Sequence, residues 1–127
     1  MRTTFFVFFG AGLGGVLRHY VNLACGRLFG GQFPFGVMII NVSGSLVMGL
    51  LAGYFAFRAG EGWPKDARLF LMTGVLGGYT TFSAFSLDAV LLAERGDFAG
   101  AAIYVTASVG LSLAALLLGL FVARALS

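Results

Sequence analysis

Residues 73 to 86 read Thr73-Gly74-Val75-Leu76-Gly77-Gly78-Tyr79-Thr80-Thr81-Phe82-Ser83-Ala84-Phe85-Ser86, in the middle of a hydrophobic span. Gly74, Gly77 and Gly78 are poor helix formers, and so are the adjacent β-branched Thr80 and Thr81. At membrane depth a helix break is tolerated only where the freed backbone faces protein, water or an ion. The stretch therefore predicts a third span that leaves the helix over residues 77 to 80, exposing main-chain carbonyls. Beyond it a helix resumes with Phe82 and Phe85 three apart on one face.

The rest of the chain supports a membrane setting. Of 127 residues, 59% are hydrophobic and 10% charged, against about 25% charged in a soluble domain. Four apolar segments fill most of the length, at about residues 3–24, 34–57, 69–93 and 98–123. A spanning helix needs about 20 residues. The first segment reaches that length only by running through Arg18, since its charge-free part is Thr3 to Leu17. The reading is one all-α membrane domain over 1–127, with four transmembrane helices and a break in the third. Arg18 and His19 interrupt the first apolar run and argue against a cleaved signal peptide there.

Several function classes are excluded. The eight basic residues are scattered, whereas a nucleic-acid surface needs them clustered. Cys25 stands alone, and His19 has no Cys or His partner at ligand spacing. No serine has a base beside it in sequence, so nothing points to catalysis. Basic residues bias topology weakly. Arg2, Arg58, Lys65, Arg68 and Arg124 fall on the N-terminal side, against Arg27 and Arg95 on the other.

Polar residues inside the spans are the candidate site. Asn41 is mid-span on the second helix, with Ser45 one turn on. Tyr104, Ser108 and Ser112 follow one another in steps of four on the fourth helix, over about 12 Å. Each has a bland alternative: an interhelical clamp for Asn41, and interhelical hydrogen bonding for the hydroxyls. Phe82 and Phe85 equally suit core or lipid in a chain with 14 phenylalanines. Arg18 can snorkel to the interface. Gly10 with Gly14, and Gly74 with Gly78, have the spacing of close helix packing.

Taken together, these residues resemble the Fluc (CrcB-type) fluoride channels. The resemblance runs through Gly14-Gly15-Val16-Leu17-Arg18, Asn41-Val42-Ser43-Gly44, the whole of Gly74 to Ser86, and Tyr104 with Ser108 and Ser112. It implies an antiparallel, dual-topology homodimer in the bacterial inner membrane, passively exporting fluoride and protecting against its toxicity. The fluoride pathway it implies comprises Arg18, Asn41, Thr81, Phe82, Phe85, Tyr104, Ser108 and Ser112. A structural sodium ion at the dimer interface would be held by main-chain carbonyls of Gly77 and Thr80. Asp88 matches a position usually acidic in the family, and reads as structural or gating. Ala84 stands where threonine is common, which removes one hydroxyl near the break. The alternative is a coupled transporter like the small multidrug exporters, which needs an acid in its first span. Residues 1 to 60 contain none.

Overall fold

The computed structural model describes residues 1–56 and 65–126. Arg58, Glu61 and Pro64, which mark the second connector in sequence, lie outside the described residues. So does Phe57, the expected end of the second span. Every regular element among the described residues is helical: α1 (Arg2–Phe29), α2 (Phe35–Tyr54), α3 (Lys65–Arg68), a π-helical run π1 (Leu69–Leu76), α4 (Gly77–Tyr79), α5 (Phe82–Glu94) and α6 (Phe98–Ala125). Four units are long and apolar enough to cross a membrane: α1, α2, the joined pieces from Lys65 to Glu94, and α6.

The α1 helix passes through Arg18 without interruption and continues to Phe29, about 42 Å at 1.5 Å per residue. It stops at Gly30, whose φ of 78° suits glycine. Pro34 then caps α2. The turn into α6 uses Gly96, with φ 83°, and Asp97, whose side chain accepts from the Gly100 amide at 2.8 Å.

Two ties fix an up-and-down order. Arg2 Nε pairs with Asp66 Oδ2 at 2.9 Å, joining the start of α1 to the start of the third span. At the opposite end, Arg95 Nη2 donates to the Gln32 carbonyl at 2.7 Å. The four-span path requires this pairing of ends.

Helix approach is set by small residues. The two predicted glycine pairs meet each other: a Cβ on Gly74 would stand 3.0 Å from the Gly10 Cα, and one on Gly78 would strike the Ala11 backbone. This seats α1 against π1 and α4. A second seam, α2 on α6, is built the same way from Gly49, Gly53 and Gly119. Two buried clusters result. One holds Ile40, Leu76 and Tyr79, the other Val37, Phe85, Leu92 and Tyr104. Their third-span members, Leu76 and Tyr79 in one and Phe85 and Leu92 in the other, flank the break.

Candidate functional site

The break is shorter than the sequence suggests. Leu76 and Gly77 keep right-handed helical angles, and α4 runs to Tyr79. Only Thr80 (ψ 157°) and Thr81 (φ −152°, ψ 118°) are extended. The glycines of 77 and 78 thus stay helical. Packing of Gly78 on α1 outweighs their weak helix propensity, which costs only about 1 kcal/mol each. Thr80 also back-bonds the helix it leaves, its hydroxyl donating to the Leu76 carbonyl at 2.9 Å.

Asn41 explains where the chain opens. Its Oδ1 accepts the Thr81 amide at 2.8 Å, and its Nδ2 donates to the Thr81 carbonyl at 3.0 Å. One side chain thereby serves both backbone groups of an extended residue, as a neighbouring strand would. Thr81 then caps α5: its Oγ1 accepts the Ala84 amide at 3.2 Å. In an unbroken helix the Thr81 amide would serve the Gly77 carbonyl, and the Ala84 amide the Thr80 carbonyl. Both donors are diverted. The carbonyls named by the resemblance are thus the two whose helical donors are seen to be taken elsewhere. Because a peptide unit is planar and trans, the Thr80 carbonyl points the opposite way from the Thr81 amide, and so away from Asn41.

Beside the break lies a cavity of about 280 Å³. Asn41, Ser45, Thr80, Thr81, Ser108 and Ser112 supply its polar lining, and Met48, Phe82, Phe85, Val109 and Leu116 its apolar lining. The rings of Phe82 and Phe85 are 5.5 Å apart at 48°. They differ in burial: Phe85 is 8% exposed and Phe82 77%. Ser108 is 3% exposed, and its Oγ has no hydrogen-bond partner among the described residues. A buried hydroxyl normally finds one.

A family model described as "CrcB-like protein, Camphor Resistance (CrcB)" matches residues 5–120. The chain belongs to the CrcB-like family. Its relatives include three proteins named fluoride-specific ion channel FluC. The one from Rhodopseudomonas palustris (strain BisB5) is 58% identical over 125 residues, covering 98% of this chain and 99% of the relative. That from Methylobacterium nodulans is 63% identical over 114 residues, 90% of each chain. That from Beijerinckia indica is 54% identical over 127 residues and covers both chains fully.

Within this CrcB-like fold, the cavity brings together Asn41, Thr80, Thr81, Phe82, Phe85, Ser108 and Ser112. It does not include Tyr104, Arg18 or Gly77. Tyr104 is fully buried behind Phe85, with ring centroids 5.2 Å apart, and donates its hydroxyl to Asp88 Oδ2 at 3.3 Å. Steps of four advance about 40° around a helix, so Tyr104 is turned well away from Ser112. Arg18 is half-buried on α1, with no ion pair among the described residues. Asp88 also lines a second cavity of about 410 Å³ at the Gln32–Arg95 end. The stack Phe85–Tyr104 with Asp88 therefore stands between the two spaces.

Sequence reasoning missed the Asp88–Tyr104 bond and a contact of Ser43 with the Tyr79 hydroxyl at 2.9 Å. It also missed the capping role of Thr81. A threonine just ahead of an apolar run is a helix-start signal, so that cap was readable; the two cross-helix bonds were not.

Proposed function

We propose that this CrcB-like protein is a passive fluoride channel of the bacterial inner membrane, not an enzyme, and that it carries fluoride out of the cytoplasm and protects against its toxicity. The names of its relatives support the ion. The observation that carries the reading to particular residues is the cavity beside the break, where Asn41, Ser45, Ser108 and Ser112 meet Phe82 and Phe85. Fluoride is small and strongly hydrated, so a pore must replace its water with donors. Ser108 and Ser112 offer hydroxyls. Asn41 spends one amide hydrogen on Thr81 and has a second. The positive edges of Phe82 and Phe85 can meet an anion without a full charge. The second cavity, lined by Asp88 and Glu94 as well as Arg95, opens beside the Asp88–Tyr104 pair behind Phe85. A potential negative inside drives fluoride outward by about 2.3 kcal/mol per 100 mV.

The broken span suits two ions of opposite sign. The carboxyl end of the π1–α4 segment carries partial negative charge and the amino end of α5 partial positive charge. On the first side, the Gly77 and Thr80 carbonyls fit a hard cation, because their helical donors are diverted and carbonyl oxygen is the ligand such ions take. A structural sodium ion held there would add charge that joins subunits. Among the described residues no group of three or more His, Cys, Asp or Glu offers another cation site. A second, antiparallel copy would cover Phe82, which one chain leaves exposed. Arg18 is read as lining an anion-attracting vestibule, and Tyr104 as the support behind Phe85.

Liposomes holding the purified protein test this. Fluoride efflux with a potassium ionophore should far exceed chloride efflux and need no proton gradient. Absence of fluoride flux from folded protein overturns the reading. Flux that requires a proton gradient supports the coupled transporter instead.

A further inference from the structure

Tyr79 is the last helical residue before the break, and it is buried among Ile40 and Leu76. Its hydroxyl lies 2.9 Å from Ser43 Oγ. Ser43 also donates to the Ile40 carbonyl, at 3.2 Å. A serine has one hydroxyl hydrogen. With that hydrogen on Ile40, the Tyr79 hydroxyl must be the donor to Ser43. The result is a directed relay from Tyr79 through Ser43 to the backbone of α2.

Two residues further on, Asn41 holds Thr81 by both its amide and its carbonyl. One stretch of α2, from Ile40 to Gly44, thus grips the chain on each side of Thr80. Gly44 completes the seat: a Cβ there would collide with the Thr80 methyl and come 3.2 Å from the Tyr79 ring. Thr80 is thus held through both chain neighbours and through its own methyl. Neither Ser43 nor Tyr79 lines the 280 Å³ cavity, so any effect they have on an ion passes through the backbone of the break.

We propose that Ser43 and Tyr79 are a positioning pair that fixes the last turn before the break against α2, and so sets the stance of Thr80, Thr81 and Phe82 for conduction. The consequence for conduction rests on the channel reading above; the positioning itself is read separately, from amide hydrogen exchange.

The test compares Tyr79→Phe, Ser43→Ala, the double variant and Ser43→Thr, by fluoride efflux from liposomes and by hydrogen exchange of the purified protein. Tyr79→Phe should slow efflux and speed exchange over residues 80–84 by about fivefold, the factor matching one net hydrogen bond. Exchange in α6 should stay unchanged. Ser43→Ala should lose more, because it strands a buried tyrosine hydroxyl. The double variant should match Tyr79→Phe, since the stranded group is then gone. Ser43→Thr, which keeps the hydroxyl, should restore both readouts. Wild-type efflux or wild-type exchange in Tyr79→Phe overturns the proposal, as do losses that multiply in the double variant. If wild-type protein carries no fluoride, the channel reading fails and the exchange measurement alone decides the pair.

Discussion

Ser108 and the two phenylalanines separate stability from transport at the level of single side chains. A buried hydroxyl without a partner costs about 1–3 kcal/mol of desolvation. Ser108→Ala removes that cost, so the variant should melt at a higher temperature than wild type while its fluoride efflux falls about tenfold. Ser108→Thr, keeping the hydroxyl, should retain most of the flux. Lower stability with unchanged flux in Ser108→Ala would show the serine to be packing. The phenylalanines divide by burial. Phe82 is 77% exposed in one chain, whereas Phe85 is 8% exposed and stacked on Tyr104. Phe82→Ile should therefore impair flux with little change in the melting of the single chain's core. Phe85→Ile should impair flux and also lose stability, by about 1–3 kcal/mol for a shape change in a packed site. Thermal unfolding beside efflux checks both. Asn41→Ala should be worse for stability than either, since it unpairs the amide and carbonyl of Thr81 together. Asn41→Asp keeps only the acceptor for the Thr81 amide.

Among the elements, the third span and its neighbour α1 make the sharpest case. The glycine pairs were visible as spacing in the sequence, and their role in close packing follows from residue size alone. What spacing could not say is which surfaces they face. The structure sets Gly10 and Gly14 against Gly74, Val75 and Tyr79, and Gly78 against Ala11, backbone to backbone. Gly12 and Gly15, off that seam on the same helix, have open space where a Cβ would go. Gly14→Ala should then destabilise by about 1–3 kcal/mol or more through overpacking. Gly12→Ala should be neutral or gain up to about 1 kcal/mol of helix propensity. Equal melting of the two variants would refute the seam. The break follows the same division. Gly and Thr content announces that the span opens, but the opening sits at Thr80–Thr81 because Asn41, 40 residues away in sequence, bonds there. Local propensity is a weak term beside a cross-helix pair of hydrogen bonds. The same holds for Tyr104. Its spacing from Ser108 was legible, yet its side chain was claimed by Phe85 and Asp88 on another helix.

For the whole molecule, four charge-poor spans and their order could be read from composition, because membrane length leaves little freedom. Which ends lie together follows from that order; which side chains tie them does not, since Arg2 with Asp66 and Arg95 with Gln32 are long-range contacts. These contacts define two ends of the bundle that carry unequal basic charge: Arg2, Lys65, Arg68 and Arg124 at one, Arg27 and Arg95 at the other, with Arg58 beyond the described residues. That difference leans towards one orientation without forbidding the other. A single chain also leaves Phe82 uncovered at the mouth of a polar cavity, which favours a second copy on that face. Both features suit the proposed antiparallel dimer, and orientation gives the direct measurement. Glu94 is exposed at the end of α5, while the native Cys25 is buried and free. A Glu94→Cys variant in sealed vesicles should react with an impermeant maleimide on about half of its copies from outside, and on the remainder only after permeabilisation. Labelling of all copies, or of none, from one side would mean a single orientation and would remove the antiparallel arrangement. If the proposed sodium site joins two copies, replacing sodium by a bulky organic cation throughout purification should, in the same preparation, shift the protein towards monomer in detergent, because the Gly77 and Thr80 carbonyls would lose the cation proposed to bridge them.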